Sequence, residues 1–313
     1  MLRMIGTRML AAIPVMLVVV TIVFVLLRIS PGDPAVVLAG DSGTPEVLER
    51  IREDLGLNRP LYVQYATWFW DLVRGDLGTS VMSKKPVLDL ILSRVEPTLV
   101  LAVTALMLTV LLAIPLGTIA AWRQYSIIDR AIMAFSVGGL SVPAFVIGYL
   151  LILWFSLRLN LFPVQGYVSP FADPLRAMLH LVLPSVTLAL VYSALITRVT
   201  RNSVLEVLEE DFVRTARAKG GTDRRVVLRH VLPNAAVPII TVVGLSIASL
   251  VTGVVVTESV FNIPGVGRLM IDAILARDYP IVQGLMLFFA LIYVAVNLVI
   301  DIIYVIVNPR IRY

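Results

Sequence analysis

Residues 211–234, DFVRTARAKGGTDRRVVLRHVLPN, hold six Arg and Lys against two Asp, in a chain of which 15% is charged. Guanidinium and ammonium groups at that density can grip carboxylates or phosphates. They supply neither a nucleophile nor a base at neutral pH. Bond-making residues are sparse elsewhere as well. The chain has no Cys, and its two His, His180 and His230, do not make up a zinc pattern. Each stands near the edge of an apolar segment, where an interfacial role is expected over ligation. No paired carboxylates and no nucleophile–base set stand out. No G-x-x-x-x-G-K-[ST] phosphate loop occurs, which excludes ATP hydrolysis by that route. No residue is assigned a catalytic or metal-binding role; the chemistry on offer is contact and movement.

A second group of polar residues recurs inside apolar sequence. Tyr293, Asn297, Asp301, Tyr304 and Asn308 follow at spacings of four, four, three and four, which places them on one helical face. Polar groups are costly in hydrocarbon, so that face should avoid lipid, either by hydrogen bonding between helices or by lining a pathway. Ser249, Gly253 and Thr257 also fall at spacings of four, the small-residue pattern that lets helix backbones approach closely. Helix packing is expected there. Glu258 follows directly, before SVFNIPGVGRLM, whose Pro264, Gly265 and Gly267 favour a tight turn.

The elements that must carry these residues are membrane spans. Hydrophobic residues make up 58% of 313 residues, far more than the core of a water-soluble domain needs. Six mainly apolar segments lack Asp, Glu, Lys and Arg: Met9–Leu27, Pro97–Trp122, Ala131–Leu157, Ala177–Thr197, His230–Thr257 and Tyr279–Ile300. Each is long enough to cross a bilayer. Pro14, Pro115, Pro143, Pro184 and Pro238 lie inside them, as membrane helices tolerate. The first segment, preceded by Arg3 and Arg8, has the outline of a secretory signal. Its apolar run is longer than such a signal needs, and LLRISPGDPAVV offers no small-x-small cleavage site, so a retained span is expected. The fold class is therefore an all-α integral membrane protein with six transmembrane helices.

Six spans place both termini on one side, and the distribution of Lys and Arg makes that side cytoplasmic. On this assignment the inner segments carry fourteen basic residues, eight of them between Arg198 and Arg229. The short outer turns carry five: Arg28, Arg158, Arg176, Arg268 and Arg277. The organisation expected is an N-terminus and first span over residues 1–29, an extracytoplasmic cap over 30–96, and a five-helix core over 97–313. Turn and helix signals in the cap, SPGDP and TPEVLERIREDLGL, argue that it folds.

The basic stretch then lies in a cytoplasmic loop, residues 198–235. Topology alone, or attraction to anionic headgroups, accounts for some of its charge. Local signals add a shape. Asp211 reads as an N-cap, Phe212, Val213, Arg214, Thr215, Ala216, Arg217, Ala218 and Lys219 contain no breaker, and Gly220 reads as the C′ residue. Arg217 and Lys219 fall in the last turn, where the helix dipole favours cations. Phe212, Val213 and Ala216 group on one side. Thr222 is placed to cap a second helix, DRRVVLRHVL, which Pro233 ends. A short helix with small side chains, held at both ends by spans, suits a groove on another protein.

At this point the chain resembles a known family. RTARAKG, nine residues and HVLP follow the E-A-A-x-x-x-G and I-x-L-P pattern of the coupling loop in ABC-importer permeases, matched at Ala216, Gly220, Leu232 and Pro233. It departs at Arg214 where the pattern has Glu, at Thr215 where it has Ala, and at His230 where it has Ile. The loss of that Glu argues against an acidic contact from this position to a partner's Arg. The likeness extends through SPGDPA, LGLNRPLYVQYATWFWDLVRGDLGTS, SVPAFVIGYLLILWFSLRLNLFPVQGY and TESVFNIPGVGRLMIDAILARDYPIVQG. VNLVIDIIYVIVNPRIRY also fits, with Asn308 where these proteins commonly have Asp.

The chain is thus similar to permease subunits of dipeptide and oligopeptide ABC importers, of the type with an extra outer-face segment. The resemblance implies the type I importer fold in the cell membrane of a prokaryote. It also implies a second homologous permease, two cytosolic ABC ATPase subunits that bind ATP and Mg, and an external substrate-binding protein. No cofactor is expected on this chain, and nucleic acid is not an expected partner. Residues 211–220 would couple to the ATPase, with Leu232 and Pro233 supporting the loop, and the stretch after Glu258 would be a re-entrant or gating turn beneath the binding protein. Without that implication Glu258 reads as an interfacial carboxylate. Peptide is the expected cargo, with nickel chelate or glutathione as family alternatives. The competing class is a carrier or channel driven by an ion gradient; against it stand the absence of a convincing inverted repeat and the scarcity of embedded acids.

Overall fold

The computed structural model describes residues 2–29, 34–39, 43–54 and 56–307. Among the described residues regular structure is helical, apart from one isolated antiparallel bridge between Thr79 and Pro86. In chain order the helices are α1 (Leu2–Ile29), α2 (Pro34–Ala39), α3 (Pro45–Asp54), α4 (Leu61–Val73) and α5 (Val87–Trp122). Then come α6 (Ile127–Ser141) and α7 (Ala144–Leu151), which continues as a π-helical stretch, Ile152–Arg158. They are followed by α8 (Pro174–Leu208), α9 (Asp211–Ala218), α10 (Asp223–Val226), π-helical Val227–Val231 and the single turn α11 (Leu232–Asn234). The series closes with α12 (Ala236–Val260), α13 (Val266–Leu275) and α14 (Tyr279–Val307).

Four helices among the described residues, α5, α8, α12 and α14, are long and apolar enough to cross a membrane, and α6 with α7 makes a fifth if the bent pair is one span. Within α1 the apolar stretch is Ile13–Leu26. Absence of charge marks the apolar window, not the helix. Thus α5 starts at Val87, ahead of Asp89, Arg94 and Glu96, and α8 reaches Leu208, past Arg198, Arg201 and Glu206.

The third apolar segment is a correction. Instead of one continuous span, α6 and α7 meet at an angle of 105°. Val142 is extended (φ −99°, ψ 125°), as a residue ahead of proline prefers, and Pro143 starts α7. Packing fixes the new direction. A Cβ on Gly148 would lie 3.2 Å from Val260 Cγ1 and 3.3 Å from the Phe261 ring, so α7 passes close against the end of α12. Pro14, Pro115 and Pro184, by contrast, sit inside continuous helices, and Pro238 falls in the first turn of α12, where proline is tolerated.

The described residues fall into two compact units, Met1–Glu96 with Pro264–Val294, and Pro97–Ile263 with Ala295–Tyr313. In the first, Val87, Ile91, Val266, Leu269, Met270 and Leu285 form a buried core. Phe24 of α1 stacks on Trp68 and meets Tyr65 edge-on, with ring centroids 5.6 and 5.2 Å apart, and Arg28 Nε donates to Gln64 Oε1 at 2.9 Å. Asp278 is buried, accepting from Ser80 Oγ at 2.6 Å and from the Met82 backbone N–H at 3.2 Å.

In the second unit, Leu101, Ala105, Ile152, Leu188, Leu250 and Phe261 bring α5, the π stretch after α7, α8 and α12 into one core. A smaller cluster holds Ala121, Val204, Val213, Val226, Val231 and Ile239. It is this second cluster that positions the basic loop.

Candidate functional site

The loop folds as two short helices meeting in a glycine turn. Glu209 and Glu210 link α8 to α9, and the extended residue that redirects the chain is Glu210 (ψ 145°). Glu210, not Asp211, therefore occupies the N-cap position. Asp211 already lies in the first turn, where its carboxylate faces the positive end of the helix dipole and pairs with Arg214 at 3.5 Å.

The far end of α9 follows the sequence reading. Lys219 is the C-cap and Gly220 has φ +84°, the left-handed conformation that glycine adopts without Cβ strain. The Gly221 N–H donates to Ala216 O at 3.1 Å and the Gly220 N–H to Arg217 O at 2.9 Å. This is the Schellman pattern, which satisfies two carbonyls left over at the helix end. Gly221 is needed for a different reason. A Cβ there would lie 2.8 Å from Ala216 O and 3.0 Å from Val226 Cγ2, so Gly221 is wedged between α9 and the last residue of α10.

Thr222 takes the N-cap position of α10 but makes no side-chain capping bond. The second helix is not uniform: after Asp223–Val226 it widens to π geometry over Val227–Val231. Pro233 explains the change, because it has no N–H to donate four residues back and its ring crowds the preceding turn. Leu232 is half-buried and Pro233 exposed, and Asn234 Nδ2 donates to His230 O at 2.6 Å.

One side of α9 is an anchor. Val213 is fully buried and Ala216 packs beside it against Val204, Val226 and Val231. Phe212, expected with them, is instead 41% exposed. Successive residues differ by about 100° around a helix, and Val213 takes the inward direction. Phe212, Thr215, Ala216 and Lys219 then form one wall of an open groove of about 520 Å³. Arg225, Val226, Arg229 and His230 form the other, and Gly220 and Gly221 lie at its base. Arg214, Arg217 and Ala218 are exposed, and Arg217 pairs with Asp223 at 3.3 Å.

Two features of the framework were not foreseen. Arg201 of α8 grips Asp129 of α6 through Nε and Nη2, at 2.6 and 2.8 Å. The Tyr125 N–H also donates to Asp129, at 2.9 Å, and Ser126 caps α6 by accepting from the Asp129 N–H. The signal was present as S-x-x-D in SIID, a helix-start pattern. The second feature is Gly117, where a Cβ would lie 2.6 Å from both Thr197 O and Thr200 Cβ, so α5 and α8 touch nearly backbone to backbone.

The remaining predicted residues are separate from the groove. Gly253 faces Tyr192 of α8 so closely that an added Cβ would strike the tyrosine hydroxyl, which donates to Ser249 O at 2.7 Å. Thr257 is buried and bonds back to Gly253 O at 2.9 Å. Gly253 and Thr257 therefore pack within this chain, while the Ser249 side chain is exposed. Glu258 is fully buried and accepts from Thr98 Oγ1 at 2.5 Å, ahead of a tight turn in which the Ile263 N–H donates to Glu258 O. That places it inside the protein, not at an interface with solvent. On α14, Tyr293 and Asn297 are exposed and Asp301 is half-buried, Tyr304 lies on the same helix, and Asn308 is outside the described residues.

Comparison with known proteins accords with this arrangement. Residues 113–313 match the family described as binding-protein-dependent transport system inner membrane component, and residues 1–102 match the N-terminal membrane component of the same systems. A probable peptide ABC transporter permease of Sinorhizobium fredii is 48% identical over 306 residues, 98% of each chain. The glutathione transport system permease of Escherichia coli K12 is 42% identical over 313 residues, the whole of both chains. Among solved structures, the MetNI methionine ABC transporter in an inward-facing conformation aligns with a TM-score of 0.58 at 17% identity, covering 70% of this chain and 96% of that one. At that identity the likeness bears on fold alone, and the fold is that of the type I importer permeases.

Proposed function

The chain belongs to the family of binding-protein-dependent transport system inner membrane components, and from that membership we propose a peptide-importing permease half whose α9 is the contact for a cytosolic ATPase. The chain is a multi-pass membrane protein and an ABC-importer permease subunit. Di- or oligopeptides are the cargo favoured by the names of the relatives at 48% and 43% identity. Glutathione, named for relatives at 42%, is itself a small peptide and is the nearest alternative.

The observation that carries the coupling role is the seating of α9. Val213 is plugged into a core shared with Ala121 of α5, Val204 of α8 and Ile239 of α12, while the opposite wall of the helix stays open. A push on the open wall is delivered to the ends of three membrane helices, because close-packed side chains transmit displacement with little compression. Residues 211–220 would make the contact, with Leu232 and Pro233 holding the second arm of the loop.

In this reading six spans place both termini and the loop 198–235 in the cytoplasm of a prokaryotic cell. Residues 30–96 form an extracytoplasmic cap, and 97–313 form the permease core. A second homologous permease completes the pathway. Two ATPase subunits supply ATP and Mg chemistry, and an external binding protein delivers cargo. Tyr293, Asn297 and Asp301 line either the pathway or the bundle interior, and Glu258 steadies the turn that follows it. This chain binds no nucleotide and performs no hydrolysis.

Ala218→Trp, at an exposed position of α9 outside the groove, tests the coupling role. The variant is expected to reach the membrane at the level of the parent and to abolish uptake by the assembled transporter. Uptake at the parental rate would contradict it.

A further inference from the structure

The groove between α9 and α10 has a charge pattern that the coupling role does not require. Lys219 stands on one wall, with Arg225, Arg229 and His230 on the other. The two acids on α9 and α10 are engaged elsewhere, Asp211 with Arg214 at 3.5 Å and Asp223 with Arg217 at 3.3 Å. Among the described residues no carboxylate lies within ion-pair distance of Lys219, Arg225 or Arg229. Three fixed cations and a titratable imidazole therefore share an open volume of about 520 Å³. Cations held together this way repel one another, and the repulsion is relieved when an anion enters.

We infer that this groove receives a carboxylate-bearing segment of the ATPase subunit, so that the loop is gripped on its inner wall as well as pushed on its tip. The inference rests on the proposed docking of α9 to that subunit and deepens it, by naming the chemistry of the partner surface. Shape supports a protein occupant. The Schellman turn and the contact of Gly221 with Ala216 fix the angle between the two walls, so the groove is preformed. It has room for more than one side chain. Phe212 is its one large exposed apolar side chain, which gives the acyl chains attached to a lipid headgroup little to rest on. Arg guanidinium groups favour planar, two-point capture of carboxylates, which fixes orientation as well as proximity.

The assembled transporter provides the test. Zero-length carbodiimide cross-linking joins a lysine amine to a carboxylate in direct contact, and an adduct between Lys219 and an Asp or Glu of the ATPase is expected. Lys219→Gln should remove that adduct. Arg225→Glu with Arg229→Glu should lower ATPase retention on the purified permease at least tenfold, while Arg225→Gln with Arg229→Gln should give a smaller loss that deepens with added salt. Size-exclusion profiles of the permease variants check that each is folded. If the double Glu variant retains ATPase like the parent while Ala218→Trp does not, the inference falls and the coupling role stands. If neither change affects retention or uptake, both fall. If the double Glu defect appears only in liposomes containing anionic lipid, the groove serves headgroups and the inference is overturned.

Discussion

Arg201 holds Asp129 with two parallel hydrogen bonds, Nε to Oδ1 at 2.6 Å and Nη2 to Oδ2 at 2.8 Å, and both side chains are largely shielded from solvent. The pair ties the start of α6 to the stretch of α8 that leads, through Val204, into the core beneath α9. Removing one partner of such a pair strands a charge, at a cost of about 3 kcal/mol or more, whereas removing both is far milder. Arg201→Met is therefore expected to lower the thermal aggregation temperature in detergent markedly. Asp129→Asn with Arg201→Met should recover much of the loss. Strict additivity of the two changes would contradict a direct pairing.

The glycine turn makes a second prediction. Gly220→Ala forces an L residue into φ +84°, a strain of about 1–2 kcal/mol with no collision, since nothing lies within 4 Å of the added Cβ. Gly221→Ala drives its Cβ into a backbone carbonyl 2.8 Å away and must displace α9 from α10. Uptake by the assembled transporter should fall modestly for Gly220→Ala and severely for Gly221→Ala, at equal membrane content. The opposite ranking would argue that the angle between the walls is unimportant.

A third prediction concerns α8 and α12. Gly253→Ala places a methyl group against the Tyr192 hydroxyl and should destabilise the protein, because the ring must shift and give up its bond to Ser249 O. Tyr192→Phe alone gives up the bond to Ser249 O, a loss of about 1 kcal/mol. Combined with Gly253→Ala it should rescue part of the stability by removing the atom nearest the methyl. Thermal unfolding of the four proteins in one detergent decides the matter; absence of any rescue would place the strain elsewhere.

Glu258 and Thr98 give a fourth. Thr98→Val removes the hydroxyl that donates to a fully buried carboxylate at 2.5 Å and should cost about 1–3 kcal/mol. Glu258→Gln keeps the size of the side chain and should cost less than Glu258→Ala, which also leaves a cavity. Equal stability of all three variants and the parent would show that the contact contributes nothing.

What could be read in advance follows from how local each signal is. The end of α9 was legible because Gly220 acts on its own backbone, and the apolar windows of α5, α8, α12 and α14 were legible because charge cannot enter hydrocarbon cheaply. The break at Pro143 was not. Pro115 and Pro184 have the same covalent geometry yet lie in unbroken helices, and what differs at Pro143 is the packing of α7 beside Val260 and Phe261. Phe212 and Val213 show the same limit: hydrophobicity alone could not say which of two neighbours faces the core. The pairing of Asp129 with Arg201 spans 72 residues, and the cationic groove combines two helices, so neither could be read from one stretch.

On the proposed function this chain is moved by the nucleotide chemistry of other subunits. Peptide accumulation in proteoliposomes decides it, comparing the purified chain alone with the chain joined by its second permease, ATPases, binding protein and internal or external ATP as orientation requires. Uphill uptake is expected only from the complete, ATP-supplied assembly. Concentrative uptake by the chain alone, driven by an ion gradient, would contradict it.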